Sequence, residues 1–290
     1  MDDGNPLDDF CIFILTNGRP DRVFTYKTLR ETGYTGKIYL VIDDEDTQVQ
    51  EYHKIYGNEV LVFSKEEIGK TFDHGDNFND RRTITYARNA CRHLAEELCI
   101  KYYMQLDDDY MDFQLRYDEN GQPGFVGSIH TMDKVLELML EFFKKIPAKT
   151  IAMSQGGDHI GGVSGTMPSL RRKAMNSFLC SVNRPFKFVG TGNEDVNTYT
   201  SEGMRGSLFF TVMQAQLVQK PTQASSGGIT EFYLEHGTYM KSFYTIMYAP
   251  SCTRIGVLGD SRSPHYRLHH SIAWENAVPK ILHSKYKKAG

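Results

Sequence analysis

The stretch Tyr102–Tyr110, YYMQLDDDY, reads as a hydrophobic strand that stops on three consecutive carboxylates, Asp107, Asp108 and Asp109. The apolar run from Ile100 to Leu106 follows a helical stretch, Arg81 to Leu98, that carries Ala87, Arg88 and Asn89 near its start. In open α/β sheets, ligands bind at the carboxyl ends of strands, so acids delivered there stand where chemistry takes place. Residues i and i+2 at a strand end can converge on one hard cation, and Mg2+ or Mn2+ prefers oxygen ligands completed by substrate phosphates. Asp107 and Asp109 are the predicted pair. The competing reading is a solvated acidic turn.

Upstream, strand and helix signals alternate. Phe10 to Leu15 is a continuous apolar run ending in the turn-prone Thr16-Asn17-Gly18-Arg19-Pro20. Val23 to Thr32 has helical character and stops at Gly33, and Lys37 to Ile42 is a second strand ending in Asp43, Asp44, Glu45 and Asp46. A helix over Thr47 to Tyr56, closed by Gly57, and a strand over Glu59 to Phe63 complete a βαβαβ unit, the pattern of a parallel sheet. The polar, Gly-containing Ser64 to Asp80 reads as a long loop. Neither G-x-G-x-x-G nor G-x-x-x-x-G-K-[ST] occurs in this half, which argues against dinucleotide and P-loop chemistry.

A length of 290 residues suffices for one large domain with a continuous core. A net charge of -3 argues against a global basic field, so any polyanion contact has to be local. The five cysteines, Cys11, Cys91, Cys99, Cys180 and Cys252, are odd in number and lack C-x-x-C spacing, the pattern of reduced core thiols. The opening MDDGNPLDDF has no basic or apolar leader, and no stretch approaches the roughly 20 apolar residues of a membrane span. These features point to a cytoplasmic protein in a bacterial or viral setting, the host cytoplasm if phage-encoded.

With these residues in view, the chain resembles a family. YYMQLDDDY resembles the D-x-D motif of GT-A glycosyltransferases, Ala87-Arg88-Asn89 resembles the helix before it, and Gly192-Asn193-Glu194-Asp195 resembles their E-D motif. More narrowly, ILTNGRP, the segment Tyr34 to Asp46 and RLHHSIAWENAVPKIL resemble the TET-associated glycosyltransferases of phages. The resemblance implies an α/β, GT-A-like fold: a Rossmann-like nucleotide-binding half joined to an acceptor half around one mixed central sheet. One domain spans residues 1–290, with a donor half at 10–110 and an acceptor half at 111–290. It further implies transfer from a nucleotide sugar, a UDP-sugar, with Mn2+ or Mg2+, onto 5-hydroxymethylcytosine in DNA.

Carried onto this sequence, Thr16, Arg19 and the pair Asp43 and Asp44 would border the base and ribose, and Arg88 the base or diphosphate. Asp107 and Asp108 would complete the donor contacts, and a metal on Asp107 and Asp109 would bridge to the diphosphate. Four residues have plain alternatives: Arg19 as a solvated loop residue, the Asp43 and Asp44 pair as a cap for the helix at Thr47, and Arg88 on a helix surface. A third ligand would come from His265, His269 or His270, with His269 preferred, and Arg262 and Arg267 would grip the diphosphate.

An acceptor hydroxyl ionises far above neutral pH, so direct displacement needs a general base; Asp195 is the candidate, with Glu194 orienting acceptor or base. That assignment implies inversion at the anomeric carbon; the alternative, a retaining mechanism, would not require the base. The two acids also suit a helix N-terminus before Val196 to Thr200. A DNA acceptor needs local positive charge, for which Arg171, Arg172, Lys173, Arg184, Lys187, Arg205 and Lys220 are available; Phe186, Phe188 and Tyr199 are either base-stacking groups or core. Gly156 to Gly165 and Ser225 to Gly228 are candidate lids. The competing functions are transfer to a glycan, protein or small molecule, nucleotidyl transfer, and an inactive nucleotide-sugar-binding module.

Overall fold

The computed structural model describes residues 6–77, 80–159, 176–219, 235, 237, 239–258 and 267–279. Five elements follow the predicted order: β1 (Phe10–Leu15), α1 (Phe24–Glu31), β2 (Lys37–Asp43), α2 (Val49–Tyr56) and β3 (Val60–Phe63). All six residues of β1 are buried, as a strand covered on both faces requires. Its apolar run still alternates. Phe10, Ile12 and Ile14 join one core cluster with Leu29 of α1, whereas Cys11, Phe13 and Leu15 join another on the opposite face.

The segment predicted as loop from Ser64 to Asp80 contains a short helix, α3 (Lys65–Gly69). Its signal is present in the sequence as Ser64-Lys65-Glu66-Glu67, a capping box in which the Ser64 hydroxyl accepts from the Glu67 N–H at 3.5 Å. The next helix, α4 (Thr85–Glu97), begins four residues later than the apolar pattern suggests and leads into β4 (Tyr102–Asp107). Beyond it come β5 (Tyr110–Tyr117), β6 (Pro123–Ser128), α5 (Met132–Lys145), β7 (Ala148–Ser154), β8 (Ser177–Ser181), α6 (Glu194–Met204), β9 (Leu208–Gln219), α7 (Met240–Tyr248), β10 (Thr253–Leu258) and β11 (Arg267–Ile272).

Nine strands form one sheet in the order β3-β2-β1-β4-β8-β7-β9-β5-β6. The first four run parallel; β8 is antiparallel to β4 and to β7, β7 and β9 are parallel, and β5 is antiparallel to β9 and β6. The sheet is therefore mixed, as expected. β10 and β11 pair separately as a two-stranded ribbon. Only Asp108 and Asp109 separate β4 from β5, yet β8, β7 and β9 lie between those strands in the sheet. The acidic turn is thus the point at which the chain crosses from the parallel half to the mixed half.

Four of the cysteines are buried and Cys99 is exposed; all five are free thiols. Cys99 follows α4 at φ 56°, the left-handed position that ends a helix. Among the described residues, no helix is long and apolar enough to cross a membrane.

Candidate active site at the end of the fourth strand

The backbone of the acidic turn is pinned by α1. The Thr25 hydroxyl donates to the Asp107 carbonyl at 2.6 Å and accepts from the Tyr110 N–H at 2.9 Å, while the Thr25 N–H donates to the Asp108 carbonyl at 3.1 Å. Thr28 donates to the Tyr110 carbonyl at 3.0 Å. Neither threonine was singled out from sequence, because their spacing on a helix looks like ordinary core packing.

Within the turn the three carboxylates divide their work. Asp108 is 1% exposed and points into the protein, where Arg19 Nε and Nη2 donate to its two oxygens at 2.7 and 2.8 Å and Thr16 Oγ1 donates at 2.6 Å. The Tyr52 hydroxyl accepts from the Arg19 N–H at 3.0 Å and lies 2.9 Å from Thr16 Oγ1. Asp108, Thr16 and Arg19, expected at the donor, are therefore first of all a buried latch that ties the β1 loop to the turn. A planar two-point guanidinium–carboxylate pair is the strong form of such a bond.

Asp107 faces the other way. Its Oδ1 accepts from Arg88 Nη2 at 3.1 Å, and Arg88 Nε donates to Glu194 Oε1 at 3.0 Å. Arg88 is 2% exposed, lies over the rings of Phe178 and Phe188 at 5.1 and 5.7 Å, and its Nη1 has no hydrogen-bond partner among the described residues. The helix-surface alternative for Arg88 is excluded. Burial pushes the Asp107 carboxyl up to about 7, against the pull of Arg88 and with the added push of Asp109 and Glu194. Asp109 is also raised, by burial first; its Oδ2 accepts from Gln219 at 3.2 Å, and its buried Oδ1 has no hydrogen-bond partner among the described residues.

Asp43 and Asp44 hold neighbouring elements. Asp43 accepts from Asn17 at 2.9 Å and pairs with the buried Lys65 at 3.1 Å; Asp44 accepts from the Lys65 N–H at 3.0 Å. The helix that begins near Thr47 is served by Asp46, whose Oδ1 accepts from the Gln48 N–H at 2.8 Å.

The acceptor-side loop is assembled on α4. Thr85 donates to the Gly190 carbonyl at 2.8 Å, and Asn89 makes two bonds of 2.9 Å with the Phe188 backbone. Gly190 has φ 88°, and Asn193 is left-handed at φ 62° immediately before Glu194 and Asp195 open α6. Both acids are buried, and Asp195 Oδ1 accepts from the Val196 N–H at 2.8 Å. The helix-N-terminus reading is thus met in position; it does not exclude a second role.

Asn193 Nδ2 donates to Thr245 at 2.7 Å and lies 3.2 Å from His270 Nδ1, so His270 is the histidine joined to the E-D turn. His269 stands beside it in β11, ring centroids 4.3 Å apart. Asp107, Asp109 and His269 do not come together as a metal-ligand set: among the described residues, no three His, Cys, Asp or Glu side chains form such a group. His269 and His270 lie in β11, which pairs with β10 and not with the large sheet. The Arg267 side chain, Arg262 and His265 lie outside the described residues, as do Arg171, Arg172, Lys173, Lys220, Ser225–Gly228 and the latter part of the Gly156–Gly165 stretch.

Other expected DNA contacts take structural parts. Arg184 Nη1 donates to the carbonyls of Phe143, Ile146 and Ala148, Lys187 to that of Thr71, and Arg205 pairs with Glu202. Phe188 and Tyr199 are buried, packed on Phe178 and Trp274, and Phe186 packs between Phe188 and Phe209. These aromatics are core.

The sequence profile of the TET-Associated Glycosyltransferase family matches residues 10–228, which include the acidic turn, Arg88, Glu194 and Asp195. The chain belongs to that family. A TET-associated glycosyltransferase is an enzyme of glycosyl transfer, and the matched span ends before His265, His269 and His270. No curated protein sequence matches the chain. Among solved structures it is similar to glucosyl-3-phosphoglycerate synthase from Mycobacterium tuberculosis with Mg2+ and UDP, at 9% identity, TM-score 0.47, and coverage of 91% of this chain and 87% of that one. It is also similar to a Pyrobaculum calidifontis mannosyltransferase with GDP-Man and Mn2+, at 10% identity, TM-score 0.44, and coverage of 85% and 75%. A third is S. aureus TarS with UDP, at 9% identity, TM-score 0.42, and coverage of 83% and 70%.

Proposed function

We propose that this glycosyltransferase moves a hexose from a UDP-sugar onto the hydroxymethyl group of 5-hydroxymethylcytosine in phage DNA, with Mn2+ or Mg2+ as cofactor. The observation that supports this reading most is the surplus of acid at the end of β4. Asp107 and Glu194 share one guanidinium, that of Arg88, Asp109 adds like charge beside Asp107, and both Asp carboxyls are raised. Asp109 also keeps a buried oxygen with no hydrogen-bond partner among the described residues. The pair Asp107 and Asp109 would suit a divalent cation completed by substrate phosphates, which would relieve the like-charge repulsion and take the remaining oxygen.

Asp107 and Asp109 would hold the metal, with substrate phosphates and water completing its shell. Bound there, the cation supplies neutralisation of the charge on the leaving nucleoside diphosphate. Thr16, Arg19, Asp43 and Asp44 shape the nucleotide side, with Asp108 as the buried anchor of Arg19. On the acceptor side, Asp195 removes the proton from the attacking hydroxyl while Glu194, held by Arg88, keeps the first turn of α6 in place; one displacement inverts the anomeric carbon. Residues 1–290 act as one domain in this reading, 10–110 on the donor side and 111–290 on the acceptor side.

A glycan, protein or small-molecule acceptor is favoured by one observation: Arg184 and Lys187, two of the basic residues expected to face DNA, are engaged by backbone carbonyls of the protein. Transfer of labelled sugar from a panel of nucleotide sugars, with Mn2+ or chelator, onto 5-hydroxymethylcytosine DNA and unmodified DNA separates the two. Metal-dependent label on modified DNA alone supports the DNA acceptor. Metal-dependent donor hydrolysis without DNA label removes it and keeps glycosyl transfer.

A further inference from the structure

We infer that Arg88 is a positioning residue, a two-armed buried clamp that fixes the acceptor turn Gly190–Asp195 to the acidic end of β4. The inference goes beyond the donor contact expected of Arg88, and its catalytic arm rests on the reading of Asp107 and Asp195 proposed above.

The geometry separates Arg88 from the cleft. Its side chain is 1% exposed, floored by Phe178 and Phe188, with one nitrogen on Asp107 and another on Glu194. Its own carbonyl accepts from Gln105 of β4 at 3.0 Å, so helix and strand are joined at this residue through backbone as well as side chain. On the same face of α4, one turn before and one residue after, Thr85 and Asn89 grip Gly190 and Phe188. Residues 85, 88 and 89 thus fasten one loop to one helix, and Arg88 alone among them also reaches β4.

A point charge cannot replace this arrangement. The guanidinium presents separate N–H arms in a fixed plane, so it satisfies two carboxylates from different elements at once; an ammonium on a flexible stem has one centre to place. With the clamp intact, the first turn of α6 keeps its position relative to Asp107. Without it, Asp107 and Glu194 would be two buried acids facing each other, and the turn would move apart from the strand.

The test is Arg88→Lys in the full chain. Hydrogen exchange at the Gly190, Thr191 and Asn197 amides, which donate to Asp73, His74 and Asn193, reads the clamp without any ligand. These amides are expected to exchange about tenfold faster in the variant while those of β1 and β4 stay as in the wild type. In turnover, kcat is expected to fall about 100-fold with donor KM within about threefold, the split of a residue that positions rather than binds. Arg88→Lys with wild-type exchange and kcat would overturn the clamp, and a donor KM that rises more than kcat falls would make Arg88 a donor contact. Should Arg88→Lys not fold, Glu194→Ala removes one arm only, and the same loosening is expected. Failure of the wild type to bind UDP would remove the donor reading, while the ligand-free exchange would still judge the clamp.

Discussion

Asp107 and Glu194 share one buried guanidinium: Arg88 reaches the first at 3.1 Å and the second at 3.0 Å, from a helix that belongs to neither. One cation between two acids, with Asp109 adding a third, leaves the end of β4 short of positive charge, and that shortage sets how the site responds to protons and metal.

The pH dependence follows from Asp107, raised from 3.8 to about 7. Between those values the folded chain holds a proton that the unfolded chain has released, so this group makes the ligand-free chain less stable as pH rises through that window. Metal competes with the proton for the same carboxylate, so Mn2+ affinity should rise as pH climbs through about 7. Thermal melts at pH 5 to 8, with and without Mn2+, should show a metal-induced gain that grows with pH (~5 and ~8 being chosen to straddle the titration). A gain that is constant across pH would separate Asp107 from the metal.

The latch on Asp108 gives a stability prediction. Arg19→Ala leaves a carboxylate 1% exposed with only Thr16 to hold it, and should cost about 3 kcal/mol in urea denaturation. Asp108→Asn should cost less, because the Arg19 side chain is 23% exposed and can hydrate. An unchanged midpoint for Arg19→Ala would show that the pair contributes nothing.

Gly190 is a backbone requirement. At φ +88° a side chain is strained, and a Cβ there would stand 2.5 Å from Asn197 Nδ2. Gly190→Ala should cost about 2 kcal/mol or more, whereas Gly121→Ala, at φ +72° with nothing within 4 Å, should cost about 1 kcal/mol. Equal losses would mean that the contact with Asn197 relaxes freely.

Arg184 separates structure from DNA contact. Its Nη1 serves three carbonyls at the end of α5 and the start of β7, and the guanidinium lies 4.4 Å from the centre of the Phe143 ring. Arg184→Ala should therefore lower stability by about 2 kcal/mol and leave the salt dependence of DNA binding as it was. A salt slope reduced by about one would instead place Arg184 on a phosphate.

Much of the donor half was legible because its signals are local. Phe10–Leu15 and Lys37–Asp43 are apolar runs that end at turn residues or acids, and Gly33 and Gly57 mark where α1 and α2 stop. The three aspartates stand out in the sequence as a candidate site, but not their separate directions: which carboxylate turns inward depends on Arg19, Thr16 and Thr25, all distant in sequence. The same limit hid Arg88, whose charge suggested a ligand contact or a surface, because nothing near it in sequence reports that Glu194 closes over it. Strand order past β4 was equally beyond local patterns, since β8, β7 and β9 enter between two strands joined by a two-residue turn.

Calorimetric titration of UDP into wild type and Asp109→Asn, each with Mn2+ and with chelator, bears most directly on a metal-held donor at the end of β4. Tight binding is expected only for wild type with Mn2+, with affinity weakened about 100-fold or more in the variant and in chelator. Equal UDP affinity in chelator, or in Asp109→Asn, would contradict it.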